Sequence, residues 1–89
     1  MSTPTTGHAT VRYFGGANAA AGTTSERVAL PPGTSVEDLV ATLTATHGVA
    51  LPRVLAASSF LLDEVAIHER TAVVHNGAFL DVLAPAAGG

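Results

Sequence analysis

The sequence closes Leu83-Ala84-Pro85-Ala86-Ala87-Gly88-Gly89. The residues after Leu83 carry no large side chain and predict a thin, flexible tail whose terminal group is the carboxylate of Gly89. Such a tail fits a narrow channel. A carboxylate resists nucleophiles until it becomes a mixed anhydride, and an enzyme that makes one with ATP must bring the terminal carbon in line with the α-phosphate. Side chains on the last two residues would obstruct that approach, so Gly88 and Gly89 are the expected reacting end.

Other groups with chemical potential form no constellation. His8, His47, His68 and His75 lack a metal-ligand spacing and are expected at the surface, His47 at a helix C-terminus; no metal site is expected. Ser58-Ser59 sits in no nucleophile elbow, Asp63-Glu64 reads as a solvated turn, and Gly15-Gly16 reads as a flexible loop rather than a phosphate cradle. With 47% hydrophobic and 12% charged residues, no cysteine and a net charge of -3, the 89 residues describe one small domain without disulfides or thiolate metal sites. All four cationic side chains are arginines, Arg12, Arg27, Arg53 and Arg70, against seven carboxylates. No basic patch for nucleic acid or anionic lipid can be assembled from them. Met1 to His8 lacks an apolar run and early positive charge, so it reads as a frayed tail rather than a signal peptide, and no stretch is long enough to span a bilayer. The cytoplasm is the expected location.

The elements that must position the tail follow from pattern. Ala9 to Phe14 alternates, with Val11 and Tyr13 on one side and Thr10 and Arg12 on the other, as a half-buried strand does. Gly15 through Thr23 predicts a loop, and Ser25 to Leu30 a second, antiparallel strand. Pro31-Pro32-Gly33 ends it. Thr34 with Glu37, or Ser35 with Asp38, can form a capping box for a helix whose Val36, Leu39, Val40 and Leu43 fall on one face. Gly48 reads as that helix's C-terminal cap, with Pro52 a few residues on. A helical turn at Val54 to Ala57, strands at Ser59 to Leu62 and Val65 to Ile67, an irregular Thr71 to Val74, a turn at His75-Asn76-Gly77 and a last strand from Phe79 to Leu83 complete the order.

Two strands, a crossover helix and further strands imply an α+β fold, the β-grasp or ubiquitin-like arrangement: a mixed sheet of four to five strands with one main amphipathic helix on one face. The expected boundaries are a tail over residues 1–8, the domain over 9–83 and the second tail over 84–89. In the last strand Leu80 and Val82 face the helix, which leaves Phe79, Asp81 and Leu83 on the open face. Two large apolar groups there suggest a surface meant for a partner.

Four stretches carry a resemblance: Val11 to Phe14 with Ala21-Gly22 beyond the loop; Leu30 to Leu39; Asn76-Gly77; and the closing Pro-Ala-Ala-Gly-Gly. Over about Val11 to Gly89 the chain resembles the ThiS/MoaD family of ubiquitin-like sulfur carriers, most nearly the molybdopterin-synthase small subunit. The resemblance implies that Gly89 is adenylated by an E1-like enzyme of the MoeB/ThiF type, which uses ATP, and is converted to a thiocarboxylate that donates sulfur inside a client enzyme, the molybdopterin-synthase large subunit. No cofactor is expected on the chain itself, which is a protein substrate and not an enzyme. Leu83, Phe79, Phe14 and Pro85 are the partner-binding candidates. The chain departs from many MoaD-like members at Asn18-Ala19, where they have Arg-Glu, at Asn76-Gly77-Ala78-Phe79, where they have Asp-Gly-Asp-Glu, and at Ala84-Pro85, where they have Pro-Pro. Carriers for thiazole and cysteine synthesis share the tail. A β-grasp module that is never activated, and a ubiquitin-like modifier, are the other readings.

Overall fold

The computed structural model describes residues 7–85. Within them run β1 (Gly7–Phe14), α1 (Gly16–Ala21), β2 (Ser25–Leu30), α2 (Val36–Thr46), α3 (Ala50–Ala57), β3 (Ser59–Leu62), β4 (Val65–Ile67) and β5 (Phe79–Leu83). The five strands form one mixed sheet in the order β2-β1-β5-β3-β4, with β1 and β5 parallel at its centre and the other pairs antiparallel. This is the β-grasp arrangement expected from the element order. Leu39 and Leu43 of α2 and Leu51 and Leu55 of α3 are buried in one core with Val11, Tyr13, Leu80 and Val82 of the central strands. No helix among the described residues is long and apolar enough to cross a membrane.

The start of α2 shows why this boundary is so well marked in the sequence. The Ser35 hydroxyl accepts from the Asp38 N–H at 3.1 Å and the Asp38 carboxylate accepts from the Ser35 N–H at 3.0 Å, so the second of the two possible capping boxes is the one formed. The preceding N–H groups are satisfied from afar: Val36 donates to the Ala72 carbonyl at 2.9 Å and Glu37 to the Arg70 carbonyl at 2.8 Å. The irregular segment before β5 therefore closes the helix N-terminus and is fixed by it. Val73 also bridges to Ser35.

Several expectations need correction. Gly7 and His8, expected in the N-terminal tail, belong to β1, opposite Leu30 and Ala29 of β2, and the rest of that expected tail lies outside the described residues. The loop between β1 and β2 contains α1. Its alanines favour a helix although they present no large apolar stripe, and Gly22, in the left-handed region at φ 77, ends it by donating to the Asn18 carbonyl. Gly48 is not the left-handed cap of α2; His47 ends that helix in an extended conformation. Pro52 does not mark a stop but lies in the first turn of α3, where an N–H has no helical acceptor to lose. Among the described residues three helices accompany the sheet, with α2, the expected main one, the longest.

Candidate functional site

Phe14, Arg12 and Thr10 of β1 and Phe79, Asp81 and Leu83 of β5 project from the sheet face opposite the buried Val11, Tyr13, Leu80 and Val82. The parallel register sets Thr10 beside Phe79, Arg12 beside Asp81 and Phe14 beside Leu83. On the far side of β5, Leu61 lies opposite Asp81 and Ser59 opposite Leu83. Phe14 is 45% exposed and Phe79 41%, while Leu83 and Leu61 are half-buried. An uncovered apolar face thus surrounds the point where β5 ends, and the exposed Pro85 follows it. Gly88 and Gly89 lie outside the described residues.

The middle of this face is not apolar. Arg12 donates from Nε to Oδ1 of Asp81 at 2.5 Å and from Nη2 to Oδ2 at 3.0 Å, a forked pair in which the Asp81 side chain is only 7% exposed. The bond to Asp81 holds the guanidinium above its ordinary pKa. Its carbon stands 4.5 Å from the centre of the Phe79 ring, so Phe79 is partly roofed by a cation. Sequence reasoning placed Asp81 on this face but missed Arg12 as its partner, because opposition across parallel strands 69 residues apart leaves no local signal.

The turn beside Phe79 is tied rather than loose. Asp63 and Glu64 form the two-residue connection of β3 to β4 with φ of 49° and 69°, the left-handed pair that a tight hairpin requires. Asp63 Oδ1 accepts from the Phe79 N–H at 2.9 Å and Oδ2 meets His75 Nε2 at 2.5 Å. His75 Nδ1 in turn faces the Asn76 carbonyl at 2.9 Å. Both ring nitrogens face acceptors, so the doubly protonated ring suits the site; the Asn76 carbonyl first, then Asp63, raises the His75 pKa. The Phe79 N–H and then His75 lower that of Asp63. Asp63-Glu64 is the exposed turn expected from the sequence, with ties from Asp63 to Phe79 and His75 that the sequence did not reveal.

His47 caps the C-terminus of α2 as expected but is half-buried rather than freely exposed. Its Nε2 lies 2.6 Å from Glu26 Oε2, which also accepts from the Tyr13 hydroxyl at 2.8 Å, and its ring meets Tyr13 edge-on. Burial, and then Glu26, push the Tyr13 phenol up in pKa. The cluster ties α2 to the sheet on the helix side, away from the open face. Among the described residues no group of three or more His, Cys, Asp or Glu side chains could hold a metal ion.

The fold is a β-grasp domain of the ubiquitin-like class, with an apolar face that the described residues leave uncovered around the end of its last strand. No family model and no curated protein matches the sequence. Solved structures of the same fold do. SAMP1 of Haloferax volcanii is 23% identical over 93% of this chain and 100% of its own, with a TM-score of 0.81. Urm1 of Trypanosoma brucei is 20% identical over 98% and 100%, with a TM-score of 0.75. A chain in the complex of subunits 1 and 2 of the molybdopterin-converting factor of Helicobacter pylori is 21% identical over 92% and 99%, with a TM-score of 0.64. At these identities the likeness is one of fold, the β-grasp arrangement expected from the element order.

Proposed function

We propose that this chain is a sulfur carrier of the ThiS/MoaD type, a protein substrate rather than an enzyme. An E1-like enzyme directs a Gly89 carboxylate oxygen to the α-phosphorus of ATP; pyrophosphate leaves, and an acyl-adenylate forms. Hydrosulfide released by a sulfur donor then attacks the acyl carbon, AMP leaves, and a terminal thiocarboxylate results. The most specific reading is delivery to the large subunit of a molybdopterin synthase, supported by the neighbour solved as a complex of converting-factor subunits 1 and 2. The reaction is placed in the cytoplasm, where ATP is available.

One observation carries the proposal: β5 ends at Leu83 beside Phe14, at the border of an uncovered apolar face, and the sequence then runs through small residues to Gly88-Gly89. A partner that grips the face is positioned to receive the tail. Replacing Gly88 with Trp should leave the fold intact and abolish ATP–pyrophosphate exchange on an E1-like enzyme. Exchange at the wild-type rate would refute the proposal. A second reading, conjugation to other proteins, is favoured by the small archaeal modifier protein among the neighbours. It predicts covalent adducts of the chain in cells.

A further inference from the structure

A cleft of about 310 Å³ opens next to the end of β5, lined by Ser58, Ser59, Leu61, Ala66, His68 and Arg70 among others. Its position follows from the register: Ser59 lies directly opposite Leu83, and Phe60 opposite Ile67, so the start of β3 and the end of β4 flank the exit of the last strand. Directly opposed residues of antiparallel strands are about 5 Å apart. The cleft is therefore continuous with the apolar face around Leu83.

Its lining is rich in donors and holds no carboxylate. Arg70 is half-buried, its guanidinium carbon 4.9 Å from the centre of the Phe60 ring, with one long bond of 3.4 Å from Nη2 to the Leu55 carbonyl. Among the described residues no carboxylate lies within ion-pairing distance of it, unlike Arg12. The neighbouring Glu69 is exposed and does not line the cleft. A guanidinium fixed by stacking, with most of its donors unused, is arranged to take a carboxylate in a forked contact at small entropic cost.

The chain's own tail is a poor candidate for that carboxylate. Ala84 packs against the core, and a Cβ on Gly15 would lie 3.5 Å from the Ala84 carbonyl oxygen, so the chain leaves β5 on the β1 side. The cleft lies on the other side, because β1 and β3 flank β5. We infer that the cleft receives an Asp or Glu side chain of the protein that grips the open face and takes the tail, with Arg70 as its anchor. This rests on the carrier reading for the identity of the partner but not for the chemistry of the cleft.

Two measurements test it on the full chain. In the first, the 15N-labelled protein is titrated with N-acetylglutamate as a carboxylate probe. The Arg70 Nε–H resonance should shift more than those of the exposed Arg27 and Arg53, and equal shifts would overturn the cleft. In the second, affinity for the E1-like enzyme is measured without ATP. Arg70→Gln should weaken binding about tenfold and flatten its salt dependence, while Arg70→Lys restores only part. Wild-type affinity of Arg70→Gln would overturn the partner assignment, as would an Arg70 Nε–H shift in the free chain on deletion of Gly89, which would make the tail the occupant. Arg70-dependent binding without adenylation would uphold the cleft and sink the carrier reading instead.

Discussion

In the carrier proposal Leu83 occupies the position where docking and delivery meet. Its side chain lies on the open face between Phe14 and Ser59, half-buried in the free protein. Leu83→Asp should leave the fold intact, since the core beneath is made by Leu80 and Val82, but weaken the complex with the activating enzyme by about 2 kcal/mol, roughly thirtyfold, in a binding titration. Unchanged affinity would place docking elsewhere, and an unfolded variant would contradict the exposure of this face. Arg12 and Asp81 make an asymmetric pair, with side chains 34% and 7% exposed. Loss of Arg12 strands a buried carboxylate, whereas loss of Asp81 leaves a cation that can turn to water. Arg12→Leu should therefore lower the melting temperature more than Asp81→Leu. The reverse order would show that stacking on Phe79, not neutralisation of Asp81, is what Arg12 contributes.

At the level of elements, the turn from β3 to β4 is held to the start of β5 by Asp63 and His75, which gives the domain a pH dependence of known sign. The folded-state pKa of His75 is raised above its ordinary 6.5, so its contribution is fully present below that value and fades as pH climbs through the folded value. That of Asp63 is lowered from 3.8, so its contribution is present above that value and fades as pH falls through the folded one. His75→Ala should thus destabilise most between about pH 3.8 and 6.5, the melting curves of variant and wild type converging at alkaline pH; a constant difference would contradict the pairing. Such ties are where sequence reading stops. Strand β5 and helix α2 were legible because alternation at Phe79 to Leu83, the Ser35-Asp38 box and the spacing of Val36, Leu39 and Leu43 are local signals. Helix α1 was not, since Ala and Gly give no periodic apolar stripe, and the first half of α3 was missed because Pro52 reads as a stop unless the helix is known to begin two residues before it. The Arg12–Asp81 fork and the His47–Glu26–Tyr13 cluster depend on which strands and helices become neighbours.

For the whole molecule, the sheet has one covered face and one left open among the described residues, and the proposal gives them different tasks. Three helices close the first into a core, and the second carries Phe14, Leu61, Phe79 and Leu83 around a neutralised ion pair and is the one proposed for a partner. Under the carrier proposal the same division gives the chain its part in covalent chemistry: a surface to be gripped, and a Gly88-Gly89 end to be activated by another protein. The face and the exit of β5 belong to the structure, while the fate of Gly89 belongs to the proposal. The most direct test is the mass of the intact protein after incubation with an E1-like enzyme, ATP and a sulfur donor. The account predicts a gain equal to the exchange of one oxygen for one sulfur at Gly89, absent without ATP and absent when Gly89 is deleted; an unchanged mass with an enzyme that binds the chain would contradict it.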